Sequence, residues 1–141
     1  MNRCLVLGLG LFLISFVVGC SGDVGPELVS VKGVVQINKQ PASGIMVRFM
    51  PNVIDESIQL PSSQAITNEN GEFELFTDDN KPGVAKGPHK VSLIDTLEER
   101  VPQGQAATQK PRLSSKYSRA GSIEITIDGD DDNLVIEAKG P

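Results

Sequence analysis

The chain has 141 residues and a formal net charge of −5 at neutral pH, which leaves room for one domain with a tail. Every acidic residue follows position 20, and no basic stripe of the kind that contacts phosphate backbones is present, which argues against nucleic-acid binding. One histidine and two cysteines further restrict the chemistry that the chain could perform.

Residues 1–19 are predicted to be a leader. Arg3 supplies a short positive region, and Leu5 to Val18 is an apolar run, shorter than the roughly 20 residues of a spanning helix. The run ends in Val17-Val18-Gly19-Cys20, which resembles the lipobox of bacterial lipoproteins. That resemblance implies cleavage between Gly19 and Cys20 and attachment of diacylglycerol to the Cys20 thiol. An ordinary secretory signal or an uncleaved anchor is the alternative.

The mature chain has no thiol besides Cys20, because Cys4 belongs to the leader. We therefore expect no disulfide, no thiolate nucleophile and no thiolate metal site. Residues 20–27 are polar and turn-rich and are expected to form a lipidated tether. In the lipoproteins of some bacteria an Asp after the lipidated Cys causes retention in the inner membrane, and Ser21 stands there instead. The expected location is the cell envelope, with the outer membrane favoured and the domain on the aqueous side.

Alternating apolar residues predict strands through residues 28–138. In the first segment Val29, Val31, Val35 and Ile37 share one face. Segments with the same period follow as IMVRF (45–49), QAIT (64–67), EFELF (72–76), HKVSLI (89–94), SIEITI (122–127) and NLVIEA (133–138). Seven short strands without a capped amphipathic helix predict an all-β, seven-stranded antiparallel sandwich whose two sheets bury their apolar faces together. Residues 96–120 are expected to form a long irregular loop.

Three stretches, residues 31–51, 65–75 and 83–93, together resemble the carboxypeptidase regulatory-like, or transthyretin-like (prealbumin-like), domain. The matching positions are Val31, Gly33, Val35, Pro41, Gly44, Val47, Phe49, Thr67, Gly71, Phe73, Leu75, Gly87 and Val91. LSSKYS (113–118) is similar to the I-P-x-K-Y box of short lipoproteins with this domain, with Ser114 in place of the proline. The resemblance implies a Greek-key sandwich that is generally non-catalytic.

The stretch AITNENGEFEL (65–75) contains acidic residues that could either perform chemistry or flank a turn. Asn70-Gly71 is predicted to supply the positive φ angles of a tight turn. Glu72 and Glu74 then point outward by parity, as the charged face of a hairpin. The sequence therefore predicts a structural role for these two carboxylates.

His89 is the only histidine and would have to act as the base in any Ser-His-Asp or Cys-His arrangement. Its phase with Val91 and Leu93 instead predicts that it packs inward at the start of a strand. Transthyretin-like hydrolases use several His and Arg residues and a C-terminal Tyr-Arg-Gly-Ser. This chain ends in residues 138–141 as Ala-Lys-Gly-Pro, so that activity is not transferred to it.

Asp128, Asp130 and Asp132 are weak candidates for calcium ligands, because hard cations prefer clustered oxygens. Their spacing does not match an EF-hand loop, and a solvated hairpin turn is the competing interpretation. A basic cluster surrounds Tyr117 and comprises Lys110, Arg112, Lys116 and Arg119. It could contact anionic envelope material, or it could be a solvated loop with Tyr117 packed against the sandwich.

The sequence thus predicts a membrane-anchored envelope lipoprotein that is not an enzyme, uses no cofactor, and serves as a structural or accessory binding domain. Its expected partners are membrane lipid through Cys20, and envelope proteins or polysaccharide. A carbohydrate- or calcium-binding module is the alternative, and a small hydrolase is a third. Sugar binding is disfavoured because the mature aromatics are few, namely Phe49, Phe73, Phe76 and Tyr117. Phe76 is out of phase with the core positions and is expected to be exposed.

Overall fold

The structure is a computed structural model that describes residues 25–98, 102, 104–106 and 108–141. In chain order its strands are β1 Leu28–Val29, β2 Val31–Ile37, β3 Gln40–Pro41, β4 Ile45–Pro51, β5 Ser63–Ile66, β6 Glu72–Glu74, β7 Phe76–Thr77, β8 Val84–Ala85, β9 Gly87–Asp95, β10 Ile123–Ile127 and β11 Asp131–Ala138. A short 3₁₀ helix, Ser115–Ser118, lies between β9 and β10. The predicted leader, its cleavage site at Gly19 and the predicted lipid attachment at Cys20 lie outside the described residues. Within those residues, no helix has the length and apolar character needed to cross a bilayer.

The domain is all-β and has the character of a β-sandwich. A five-stranded sheet has the order β10-β9-β4-β5-β7, and a four-stranded sheet has the order β11-β2-β3, with β6 also paired to β2. A two-stranded sheet joins β1 to β8. The two larger sheets each have an apolar face, and these faces are buried against one another.

One hydrophobic core receives side chains from both larger sheets, which stabilises the domain in proportion to the apolar area removed from water. Its fully buried members are Val31, Val35, Ile45, Val47, Phe49, Leu75, Val84, Val91 and Leu93. Burial alternates along β2 and β4 as the period-two pattern predicted, with Arg48 outward between Val47 and Phe49. The predicted inward faces of these strands are therefore confirmed.

The last strand corrects the expectation of a wholly antiparallel sandwich. β11 runs parallel to β2, with Leu134 opposite Gly33 and Ala138 opposite Ile37. β10 pairs antiparallel with β9 in the other sheet, so residues 128–130 carry the chain across from one sheet to the other. β11 consequently enters its sheet from the same end as β2. The predicted hairpin around Asp128–Asp132 is wrong, because alternation within a strand does not specify its partner.

The turn at residues 67–71 is also a corner between sheets rather than the predicted hairpin, since β5 pairs with β4 whereas β6 pairs with β2. Gly71 has the predicted positive φ, at +75°, and a Cβ there would lie 2.9 Å from the backbone nitrogen of Ala42. Asn70 does not share that conformation; positive φ angles occur instead at Asn38 and Lys39, between β2 and β3. Glu72 and Glu74 are exposed, as predicted.

The strand registers define two ends of the domain. At one, which we call the N-terminal end, β2, β9 and β11 begin and β4 stops, and the connections there are residues 52–62, 78–83 and 128–130. At the other, which we call the far end, β4 begins beside the last residue of β9. The connections at the far end are residues 38–44 and 67–71 and the described residues between 96 and 119, together with the last residues of the chain.

Candidate functional site

At the far end, an ion pair between Arg112 and Asp95 attaches the segment after residue 108 to the five-stranded sheet. The Arg112 guanidinium donates from Nε to Oδ2 of Asp95 at 2.8 Å and from Nη2 to Oδ1 at 2.6 Å. Nη2 also donates to the carbonyl oxygen of Ser43, just before β4, at 3.1 Å. The Asp95 side chain is only 2% exposed, so this bidentate pair holds a buried carboxylate. The clamp ties the start of β4, the end of β9 and the loop together.

The charge of Asp95 is maintained by these contacts. Burial alone would raise the pKa of its carboxyl, but hydrogen bonds from Arg112 and from the backbone N–H of Leu97, together with the charge of Arg112, outweigh that effect. The pKa therefore lies below its ordinary value of 3.8. A neutral Asp95 would lose these interactions, so the clamp depends on both charges.

Two apolar side chains reinforce the clamp from the same segment. Leu113 and Tyr117 belong to the core and are 7% and 8% exposed. The backbone N–H of Ser114 donates to the carbonyl of Lys139, which attaches the segment to the residues just beyond β11. The second half of the predicted loop 96–120 is thus packed on the sandwich, and the packed position expected of Tyr117 is confirmed.

The basic cluster around Tyr117 is divided by this arrangement. Arg112 is bound to Asp95, whereas Lys110, Lys116 and Arg119 are exposed, with the Lys116 ammonium 4.8 Å from the centre of the Tyr117 ring. A lysine over an aromatic ring is favoured by the electrostatics of the ring face. Three cations therefore remain on the solvent side of the segment.

His89 lies inside the sandwich, as its phase predicted. It is 1% exposed, and its ring centre lies 5.7 Å from that of Phe49. Nδ1 is 2.9 Å from the carbonyl of Gly87, which can only accept, so Nδ1 carries the proton. Nε2 is buried without a hydrogen-bond partner. Burial lowers the pKa of the ring below its ordinary value of 6.5, although the bond to Gly87 opposes this, and the ring is neutral at pH 7.

The aspartates proposed as calcium ligands lie at the N-terminal end. Oδ1 of Asp130 accepts from the backbone N–H of Ser30 at 2.8 Å, which fixes the crossover to the start of β2. Asp128 and Asp132 are exposed. Throughout the described ranges, the structure brings together no group of three or more His, Cys, Asp or Glu residues that could hold a metal ion.

A shallow open groove of about 660 Å³ crosses the four-stranded sheet. Its lining includes Val34 and Val135, and it is bordered by the outward carboxylates of β6. Glu74 lies 3.7 Å from the Lys32 ammonium, and Glu72 accepts from Nδ2 of Asn68 at 3.0 Å. These carboxylates are satisfied by local partners, in keeping with their predicted structural role.

The aromatic residues of the domain are mostly internal. Phe49, Phe73 and Tyr117 are buried, whereas Phe76 is 37% exposed, as its phase predicted. A sugar platform requires a flat exposed ring, and within the described residues one phenylalanine provides it.

The clamp between Asp95 and Arg112 was not predicted from the sequence, although a signal for half of it was present. Asp95 continues the inward parity of His89, Val91 and Leu93, which places a carboxylate at a core position. A buried carboxylate requires a cation or several hydrogen bonds, so its position alone implied a partner. The chain offers several cations in the following loop, and nothing local distinguishes Arg112 among them.

No protein-family model matches the chain, and no curated protein matches it. A crystal structure of a DUF3823 family protein from Parabacteroides merdae is similar to it, with a TM-score of 0.43 and 10% sequence identity. That match covers 82% of this chain and 47% of the other, so the chain spans about half the length of that structure.

Proposed function

We propose that this chain is a bacterial envelope lipoprotein in which a lipid on Cys20 anchors a non-enzymatic β-sandwich domain of structural or accessory binding function. The observation that carries this proposal is the apolar run Leu5–Val18 that ends in Val17-Val18-Gly19-Cys20 and gives way at once to polar sequence. Residues 1–19 are the leader in this proposal, residues 20–27 the tether and residues 28–138 the domain.

The position of the first strand supports the tether. β1 begins at Leu28, eight positions after Cys20. Just before it, Oε1 of Glu27 lies 2.6 Å from Nζ of Lys86, which attaches the end of the tether to the domain. A lipid on Cys20 would therefore hold the N-terminal end close to the membrane and leave the far end toward the aqueous side. Each buried methylene of an acyl chain contributes about 0.8 kcal/mol, so several chains together hold a domain durably.

We further propose that the domain is a transthyretin-like, Greek-key sandwich of the carboxypeptidase regulatory-like type, with seven principal strands. The support is that the apolar positions of the resemblance are core positions, among them Val35, Val47, Phe49 and Leu75. Gly71, another of those positions, has a positive φ that other residues rarely adopt.

A non-enzymatic role is supported by the environment of His89. Its second ring nitrogen, Nε2, is enclosed by protein, so a substrate has no access to it. The proposed binding surface is the far end, where the clamped segment holds Lys110, Lys116 and Arg119 at a fixed position. Exposed cations on an ordered segment suit an anionic envelope protein or polysaccharide.

The anchor can be tested by metabolic labelling of the full-length chain with a palmitate analogue. We expect the wild type to carry the label and to sediment with membranes, and Cys20→Ala to lose the label and to keep its leader uncleaved. Cys4→Ala is the matched control, because it removes the other cysteine while leaving the proposed acylation site intact. A Cys20→Ala chain that remains labelled would contradict the anchor.

A further inference from the structure

The connection between β4 and β5 exposes aliphatic side chains to solvent. Ile54 is 100% exposed, Ile58 is 49% exposed and Val53 is 38% exposed. Scattered surface aliphatics are normal, but three within six residues at the tip of one loop form a small apolar projection. We call residues 52–60 the isoleucine loop.

The isoleucine loop has a defined turn at its tip. The Asp55 carboxylate accepts from both the backbone N–H and the hydroxyl of Ser57, at 2.9 and 2.6 Å, and the Ile58 N–H donates to the Asp55 carbonyl at 3.1 Å. Asn52, at the base of the loop, donates to the carbonyl of Pro88 at 2.8 Å. The two isoleucines therefore flank a formed turn.

The loop lies at the same end of the domain as the N-terminal segment. Gly25, Pro26 and Leu28 form one side of a shallow groove whose other side includes Gln59, Leu60 and Pro61. The N-terminal segment thus approaches the domain directly beside the isoleucine loop. Whatever holds that segment also determines which surface this loop faces.

The chain length between the anchor and the domain limits the separation. Gly25 is five positions after Cys20, and a fully extended chain spans at most about 18 Å over five such steps. This distance is less than the thickness of a bilayer, whose hydrocarbon core alone is about 30 Å. With Cys20 in the membrane, the N-terminal end must therefore remain close to the lipid headgroups.

We infer that the isoleucine loop is a second membrane contact, which inserts Ile54 and its aliphatic neighbours into the interfacial region of a zwitterionic lipid surface. This inference rests on the proposed lipidation of Cys20. The acyl chains hold the domain at the surface, and burial of the loop tip orients it there. The far end, with its clamped basic segment, then points away from the bilayer.

The charge of this end selects the type of lipid. Asp55 and Glu56 lie at the loop tip, and Asp78 is exposed in the neighbouring connection, where Asp79 is paired with Lys81 at 3.1 Å. Hydrogen bonds from Ser57 lower the pKa of Asp55, so it is ionised at neutral pH. Carboxylates at the headgroup level are repelled by anionic lipids and attracted by the ammonium groups of phosphatidylcholine or phosphatidylethanolamine.

The chain contains no tryptophan, so a single introduced indole reports on its own surroundings. The mature protein, lipidated on Cys20 and carrying Ile54→Trp, would be reconstituted into phosphatidylcholine vesicles with brominated or unbrominated acyl chains. The matched control is Ile66→Trp, which replaces a side chain that is 57% exposed at the far end of β5. We expect brominated lipid to quench Ile54→Trp at least twofold more than Ile66→Trp. Equal quenching of the two variants would overturn the inference.

Two additional measurements identify the occupant. Replacement of half the phosphatidylcholine by phosphatidylglycerol should reduce quenching of Ile54→Trp, and an increase would contradict the assignment to zwitterionic lipid. In detergent without vesicles, the Ile54→Trp emission should not depend on protein concentration. A blue shift that grows with concentration would indicate a second copy of the chain as the occupant and would overturn the lipid contact.

Failure of the inference is distinguishable from failure of the anchor. A palmitate-labelled Ile54→Trp chain that sediments with vesicles while its indole remains unquenched would leave the proposed function intact and overturn the loop contact. A chain that carries no label and does not sediment would overturn the anchor, and the loop contact with it.

Discussion

The longest connection at each end of the domain is held in a different way. At the far end, Arg112 reaches a buried carboxylate on β9 and a carbonyl beside β4, and Tyr117 of the same segment joins the core. At the N-terminal end, the Asp55 turn of the isoleucine loop is bonded within itself, and Ile54 is entirely exposed. Both connections are irregular in sequence, yet Leu113 and Tyr117 of the first join the folded core, whereas the tip of the second projects from it.

The two connections should therefore differ in what they contribute to the stability of the domain and to its contacts with other surfaces. A segment packed through buried groups contributes to the free energy of unfolding, because its removal exposes apolar area and leaves a buried charge unpaired. A loop tip that touches only solvent contributes little to stability and is free to contact another surface. Substitutions at the two ends should therefore have very different consequences for stability.

The largest expected effect is at Tyr117. Tyr117→Ala removes a buried ring from the core and should lower the free energy of unfolding by about 3–4 kcal/mol. Tyr117→Phe retains the ring and should lower it by less than about 1 kcal/mol. Urea denaturation of the two variants measures the difference. Equal losses would mean that the ring does not anchor the segment.

The second effect is loss of the clamp. Arg112→Ala leaves Asp95 buried without its cation and should destabilise the domain by about 3 kcal/mol. Arg119→Ala, an exposed cation of the same segment, is the control and should change stability by less than about 0.5 kcal/mol. Replacing the pair together by Asp95→Leu and Arg112→Met should restore only part of the loss, because the backbone N–H of Leu97 then loses its acceptor. A stable Arg112→Ala single variant would contradict the clamp.

The third effect is a dependence of stability on pH, in which His89 and Asp95 should act in different pH ranges. The pKa of His89 is lowered in the fold, so below the unfolded value of 6.5 the unfolded chain binds a proton that the native chain refuses, and stability falls as the pH falls. The pKa of Asp95 is also lowered, so the contribution of the clamp persists until the pH drops below 3.8 and is then lost. In thermal unfolding between pH 8 and pH 3, the melting temperature should fall first as the pH drops below 6.5 and again as it drops below 3.8.

The single histidine makes the first of these steps measurable directly. In NMR spectra its ring proton should titrate with a midpoint below 6.5, because protonation places a charge on a buried ring. A midpoint at or above 6.5 would mean that His89 is solvated in the folded protein.

The smallest expected effect is in the isoleucine loop. Ile54→Ser changes a fully exposed side chain and should alter the free energy of unfolding by no more than the roughly 0.5 kcal/mol typical of surface sites. Differential scanning calorimetry of the detergent-solubilised chain is the measurement. A loss comparable to that of Arg112→Ala would show that both ends hold the fold and would remove the contrast between them.

The inward and outward faces of the strands could be predicted because they depend on local alternation. Val35, Phe49 and His89 are buried where the period of two placed them, and Gly71 has the φ that its turn requires. The partner of each strand could not be predicted in this way, since pairing depends on contacts between distant segments. The parallel contact of β11 with β2 is such a case.

The same distinction applies to the clamp. The buried position of Asp95 follows from the parity of β9, whereas its partner is 17 residues away across an irregular connection. Arg112 competes there with Lys110 and Arg119, and only the folded geometry of Ser43 and Asp95 selects it. The isoleucine loop has no periodicity, so its projection from the domain became evident only from its exposure and its position beside Gly25.

The parallel pairing of β11 with β2 has a consequence for the order of folding. Ser30 and Asp130, which are bonded at the start of this pair, stand 100 residues apart, so the four-stranded sheet cannot be completed until nearly the whole polypeptide has been released. A chain delivered from its N-terminus would therefore stay open, and accessible to a translocation channel, until its final strand emerged. Nascent chains stalled before residue 131 should remain protease-sensitive, whereas full-length chains should become resistant.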